Sequence, residues 1–329
     1  MTMKRAVVCG AGGFIGSHLV KALKRTGRYV RGVDLHPPEY SQSEADEFCI
    51  ADLREARLAE LALEGMDEVY QLAADMGGAG FVFTGYHDLD IMTNSAAINI
   101  NIARAAIKQK IKKLFFSSSA CVYPAGNPAE PGWPARSEDC AYPATPDSEY
   151  GWEKLFAERI YLTVQRVYGV QVRIARFHNI YGPEGTWYGG REKAPAALAR
   201  KIAMAHDGDE IEIWGSGTQA RSFTHISDCI GGVLRLMESE VAQPINVGSD
   251  QLVTINALAQ IIANIAGKHV RLKHVPGPEG VIGRNSDNRL ILRWLGWQPS
   301  IRIERGMVDT YAWIEQQVLA TPQGKKTAS

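Results

Sequence analysis

The stretch "VVCGAGGFIGSHL", residues 7 to 19, constrains the fold more than any other part of the chain. A short run of Val and Cys reads as a buried strand. Gly10, Gly13 and Gly16 follow in GxxGxxG spacing as a helical apolar pattern begins at Phe14 and Ile15. Glycines at that junction let the backbone turn sharply and approach a pyrophosphate, whose charge would sit on the free N–H groups of the first helical turn. The expectation is a strand, turn and helix that hold a dinucleotide.

The rest of the amino-terminal half repeats the theme. "YVRGVD" ends at Asp34, where a carboxylate can accept both ribose hydroxyls of an adenosine and repel a 2′-phosphate, so NAD is expected over NADP. Asp52 and Leu53 in "ADL", and Ala73 within "LAA", fall at further strand ends, where adenine and pyrophosphate would lie. "MDEVYQLAA", "KKLFFSSS" and "VQVRIARF" are continuous apolar runs separated by helical patterns such as "SEYGWEKLFAERI". Continuous rather than alternating runs imply parallel strands buried on both faces, a doubly wound α/β sheet. Beyond about residue 176 the pattern loosens into Gly- and Pro-rich loops suited to wrapping a ligand. The expected division is a dinucleotide-binding Rossmann domain over 1–175 and a smaller α/β substrate-binding cap over 176–320, with a return to the first domain near 222–248. A frayed tail is expected over 321–329.

Charge narrows the partners. Among 329 residues, 36 basic and 36 acidic side chains cancel, so no basic field is present for nucleic acid or an anionic membrane surface. The five cysteines, Cys9, Cys49, Cys121, Cys140 and Cys229, are scattered and without CxxC spacing, which argues against a disulfide framework or a bound metal and for a reducing cytoplasm. A small-molecule substrate is the expected partner.

Tyr150 and Lys154 form YxxxK within a helical run, and four residues apart they share a face. The ammonium is expected to lower the phenol from its ordinary value of about 10, so that a phenolate removes a hydroxyl proton while hydride leaves the same carbon. YxxxK alone is weak; after a GxxGxxG turn and the strand end "SSSA" it is strong. Here the chain resembles the extended short-chain dehydrogenase/reductase family over nearly its whole length, and the resemblance implies a triad of Ser119, Tyr150 and Lys154.

Within that family the acid and base used by 4,6-dehydratases are missing, and "SAC" places Cys121 in their stead. Oxidation of a hexose at carbon 4 acidifies the hydrogens on carbons 3 and 5. A thiol and an amine, ordinarily near about 8.5 and about 10.4, can exchange those protons once their surroundings shift them. Lys193, beside Arg191 in "GGREKAP", is the candidate partner of Cys121. The longer matches, among them "SSSACVYP", "RFHNIYGPEGTWYGGREKAPAA" and "GPEGVIGRNSDN", are similar to those of the family's sugar-nucleotide epimerases. They imply inversion of GDP-D-mannose at carbons 3 and 5 to GDP-L-galactose, with GDP-L-gulose as side product, tightly held NAD and a homodimer. Arg221 and Arg284 are expected at the diphosphate, His178 and Asn179 at the sugar or its phosphate, and Gly77 and Gly78 where the hexose meets backbone. Ala79 stands where the pattern has Met and is expected to widen the sugar pocket. The residues alone leave two other readings open: a 4-epimerase or dehydratase acting on another sugar nucleotide, and a non-catalytic NAD sensor.

Overall fold

In a computed structural model, which describes residues 3–126, 133, 135–277 and 280–321, the apolar runs of the amino-terminal half are parallel strands. The tail expected over 321–329 falls, from 322 on, outside the described residues. β1 (Arg5–Cys9), β2 (Tyr29–Asp34), β3 (Glu47–Ile50), β4 (Glu68–Gln71), β5 (Lys113–Ser119), β6 (Gln171–Phe177) and β7 (Ile245–Val247) form one sheet. Their order is β7-β6-β5-β4-β1-β2-β3, with every neighbouring pair parallel. The order reverses between β1 and β4. Crossovers leave the sheet in opposite directions there, and a crevice opens beyond the carboxyl ends of the two strands.

Helices cover both faces. Residues adjacent in a strand point to opposite sides, and here both sides are dry, which is why the strands read as unbroken apolar runs. Val8, Tyr70 and Phe115 pack with Leu19 and Leu23 of α1 (Phe14–Arg25) and with Val233 and Leu236 of α6 (Ile226–Glu238). Val7, Val69, Leu114 and Phe116 pack on the other side with α2 (Ala56–Leu63), α3 (Asp88–Lys108) and α4 (Glu149–Tyr168), through Leu63, Ile102 and Tyr161.

A third core, around Leu198 and Ile202 of α5 (Ala194–Met204), Leu258, Ile262, Met307 and Ile314, supports the cap. Its small sheet has strand Ala220–Ser222 between Leu252–Thr254 and Gly283–Ser286. Strand Ala135–Arg136, from the amino-terminal half, pairs with Gly283–Ser286 at the sheet's edge. After Ser222 the chain re-enters the large sheet through α6 and β7 before returning to the cap at Leu252. Among the described residues no helix is long and apolar enough to cross a membrane.

Candidate active site

A cleft of about 1350 Å³ runs from the β1 turn across the crevice to the cap. Pockets for single small ligands are typically about 300 to 1,000 Å³, so this one has room for a dinucleotide and a second ligand. Gly10, at the end of β1, has φ +86°, and a Cβ there would lie 2.8 Å from the Ala73 amide nitrogen. At Gly16 a Cβ would lie 2.0 Å from the Gly10 carbonyl oxygen. Gly13 precedes α1, which starts with neither a side-chain cap nor an acidic residue in its first turn. The first-turn N–H groups of Phe14, Ile15 and Gly16 are thus left for an anion at the positive end of the helix dipole. Asp34 ends β2 with its carboxylate accepting the amides of Gly12, at 2.9 Å, and Leu35, at 2.7 Å. Asp52 is held by the Arg54 guanidinium, which keeps its carboxyl below the usual range. Leu53, Ala73 and these residues line the same end of the cleft. The cradle that added Cβ atoms would fill, the uncapped helix end and the acid at the β2 terminus fit NAD.

The middle of the cleft is built where β5 meets α4. At the end of β5 the Ser119 hydroxyl accepts the Cys121 amide at 3.2 Å, opening a single 3-10 turn over Ala120–Val122 that sets Cys121 on the wall. The Ser148 hydroxyl accepts the Gly151 amide and starts α4, which brings Tyr150 and Lys154 to the same wall. Lys154 is 1% exposed; its ammonium donates to the Ser117 carbonyl at 3.0 Å and stands 5.6 Å from the Tyr150 ring centroid. The expected lowering of the phenol is absent from this arrangement: burial, with Cys121 and Glu153 adding to it, pushes Tyr150 well up, and its hydrogen bond with Ser119 works the other way. Burial also lowers Lys154, against the pull of Glu153 and Glu158.

Opposite these residues stands the cap. Lys193 is the residue before α5, where Pro195 helps start the helix, and its side chain lines the cleft. Burial lowers its ammonium, and Cys121 is the first of the groups that raise it. Burial pushes the Cys121 thiol up to about 11, Asp147 adds to this, and Arg284, Ser119 and Lys193 oppose it. Arg221 and Arg284 line the cleft from adjacent cap strands. Arg221 is lowered to about 10 by burial and by Arg284.

Some expectations change. His178 is fully buried, absent from the cleft wall, and held through Nε2 to Asn246 at 3.0 Å, so contact with the sugar or its phosphate is withdrawn for it. Asn179 does line the cleft. Arg284, expected at the diphosphate, lines the cleft, but its side chain is only 5% exposed and already paired with Asp147 at 2.6 Å. Gly77 and Gly78 line the cleft, but a Cβ at Gly78 would strike the Glu192 carbonyl oxygen at 2.2 Å. At that position the missing side chain makes room for the cap loop, whose Arg191 carbonyl accepts the Gly78 amide at 2.9 Å. The Arg191 guanidinium lies over the Phe81 ring and pairs with Asp75 at 3.2 Å. The side chain of Ala79 lies outside the described residues. Sequence reasoning passed over Gly12, where a Cβ would lie 2.0 Å from the His36 carbonyl oxygen, and Gly151, where it would lie 2.1 Å from that of Cys121. It also passed over Asp147, three residues before the catalytic-type Tyr, whose burial no local pattern signals.

The model of the NAD dependent epimerase/dehydratase family matches residues 6–248. GDP-mannose 3,5-epimerase of Arabidopsis thaliana is 45% identical over 322 residues, covering 94% of this chain and 82% of that protein. GDP-mannose 3,5-epimerase 1 of Oryza sativa subsp. japonica is 44% identical over 324 residues, covering 95% and 82%. The structure of UDP-glucuronic acid 4-epimerase from Bacillus cereus, in complex with UDP-glucuronic acid and NAD, matches with a TM-score of 0.81 at 26% identity, over 95% of this chain and 99% of that one.

Proposed function

The chain belongs to the NAD dependent epimerase/dehydratase family, and from that premise we propose that it inverts GDP-D-mannose at carbons 3 and 5 to give GDP-L-galactose, with GDP-L-gulose from inversion at carbon 5 alone. It is an NAD-dependent sugar-nucleotide epimerase, an isomerase. The observation that carries the substrate reading is that Cys121, on the wall with Tyr150, and Lys193, from the cap, line the same cleft close enough for each to shift the other's proton affinity.

NAD, when bound, supplies the hydride acceptor and donor at carbon 4. In the proposed cycle Ser119 hydrogen-bonds the carbon-4 oxygen and Tyr150 takes and returns its proton, with Lys154 seated beneath on the Ser117 carbonyl. Cys121 and Lys193 exchange the acidified protons at carbons 3 and 5. A thiol raised to about 11 stays protonated at neutral pH and a lowered ammonium gives up its proton more readily, which supports the thiol as donor and the amine as acceptor. Lys193, Arg191, Arg221, Arg284, Asn179, Gly77 and Gly78 are proposed to hold the sugar nucleotide, and Gly10, Gly13, Phe14, Ile15, Gly16, Asp34, Asp52, Leu53 and Ala73 the cofactor. The division into a cofactor domain over 1–175 with 222–248 and a cap over the remainder is part of the same proposal.

A homodimer and a cytoplasmic location complete it. α3 and α4 lie side by side and expose Leu89, Trp152 and Phe156, apolar surface that suits the same two helices of a second copy. All five cysteines are free thiols, which supports a reducing compartment.

Proton NMR in heavy water with GDP-mannose and no added NAD tests the reading. Deuterium at carbons 3 and 5 with new galacto and gulo signals is expected. No exchange, even after NAD is added, would overturn it in favour of another sugar nucleotide.

A further inference from the structure

Among the buried carboxylates that the proposed chemistry does not use, Asp147 is the one bonded to the backbone of Cys121. The Asp147 side chain is 1% exposed and pairs with Arg284 at 2.6 Å. Its other oxygen accepts the Ser148 hydroxyl at 2.7 Å, and its amide donates to the Cys121 carbonyl at 3.2 Å. Arg284 in turn places Nη1 3.9 Å from the Cys121 sulfur. The backbone of Cys121 and the cation beside its sulfur are thus both anchored on one residue, just ahead of the serine that starts the helix of Tyr150. Desolvating an ion pair this deeply costs about as much as the attraction returns, so stability alone does not account for it.

We propose that Asp147 is a positioning residue that holds the Cys121 thiol and the Arg284 guanidinium in register with the sugar, so that inversion depends on it while oxidation at carbon 4 does not. The proposal rests on the epimerase reading. Around the sulfur stand the cations Arg284 and Arg221 from the cap strands, Lys193 from the cap loop and Lys154 from α4, with the neutral phenol of Tyr150; Asp147 sets a carboxylate against the four cations. With Asp147 neutral the thiol faces mainly positive charge, which makes it more acidic, and the guanidinium beside its sulfur loses the partner that holds it in place.

The test compares the wild-type holoenzyme with Asp147→Asn by two readouts. In heavy water with GDP-mannose, D147N is expected to lose at least about tenfold in deuterium exchange, with a changed ratio of singly to doubly inverted product, yet still to show the transient 340 nm absorbance of carbon-4 oxidation. Without substrate, iodoacetamide labelling of the Cys121 peptide is expected to titrate about one pH unit lower in D147N. Wild-type exchange together with an unshifted labelling curve would overturn the proposal. If D147N does not fold, Asp147→Glu keeps the charge and displaces it: several-fold slower exchange with the labelling curve in place is expected, and a variant identical to wild type overturns the idea. Absence of exchange in the wild type would overturn the substrate reading only, since the labelling curve reads positioning without substrate.

Discussion

Cys121 has two surroundings that pull apart. Enclosure in the cleft wall and Asp147 keep its proton on, while Arg284 and Lys193 favour releasing it, and the thiol settles at about 11. A group held this way donates a proton at neutral pH and regains it from solvent or from Lys193, which burial has made a weaker acid-holder than an ordinary lysine. Cys121→Ala and Lys193→Ala are each expected to lose inversion by at least about a hundredfold while keeping bound NAD, because neither residue lies at the cofactor end. Product analysis together with cofactor released on denaturation checks this; full epimerase activity in either variant would contradict the assignment.

The elements matter through close approaches. α4 comes against the 3-10 turn of Cys121 because Gly151 has no side chain, and the turn is held by Ser119 on one side and by the Asp147 amide on the other. Gly151→Ala would force a Cβ to 2.1 Å from the Cys121 carbonyl oxygen, and backbone atoms on both sides resist the move. The cost expected for such overpacking is about 1 to 3 kcal/mol. The thermal midpoint should fall, and exchange at the sugar carbons should fall further than NAD occupancy does. An alanine variant with unchanged melting and exchange would show that the helix can shift without cost. Beneath the same turn, the Arg176 and Glu158 pair at 2.8 Å ties β6 to α4, and Glu158 also accepts the Ser118 hydroxyl at 2.6 Å. β5, β6 and α4 are tied together by that one carboxylate.

At the scale of the molecule, buried histidines link stability to pH. His178 is lowered to about 4, first by burial and then by Arg284 and Arg176, against its bond with Asn246; His18 and His225 are lowered too, with burial the largest cause for each. The unfolded chain therefore binds protons that the fold refuses. The stability from His178 is fully present above about pH 6.5 and lost as pH falls toward 4, on the order of 3 kcal/mol from a shift of that size. Thermal midpoints measured from pH 7.5 to 4.5 should drop, and His178→Gln, less stable at neutral pH, should show a shallower slope. An equal slope in both would place the acid sensitivity elsewhere.

What the sequence by itself determined is local: the glycine turn after β1, the acid at the end of β2, the unbroken runs that must be parallel strands, and Tyr150 one turn from Lys154. Each follows from periodicity or from a backbone geometry that few residues allow. Only the tertiary structure decided which polar residues face the cleft. His178 and Asn179 are neighbours in a loop-like stretch, yet one is buried against Asn246 and the other lines the cleft. Arg284 stands in a Gly-rich segment that says nothing of a partner, and it is paired with Asp147, 137 positions earlier in the chain. Burial and ion pairing depend on which distant segments meet, and no local pattern of residues carries that information.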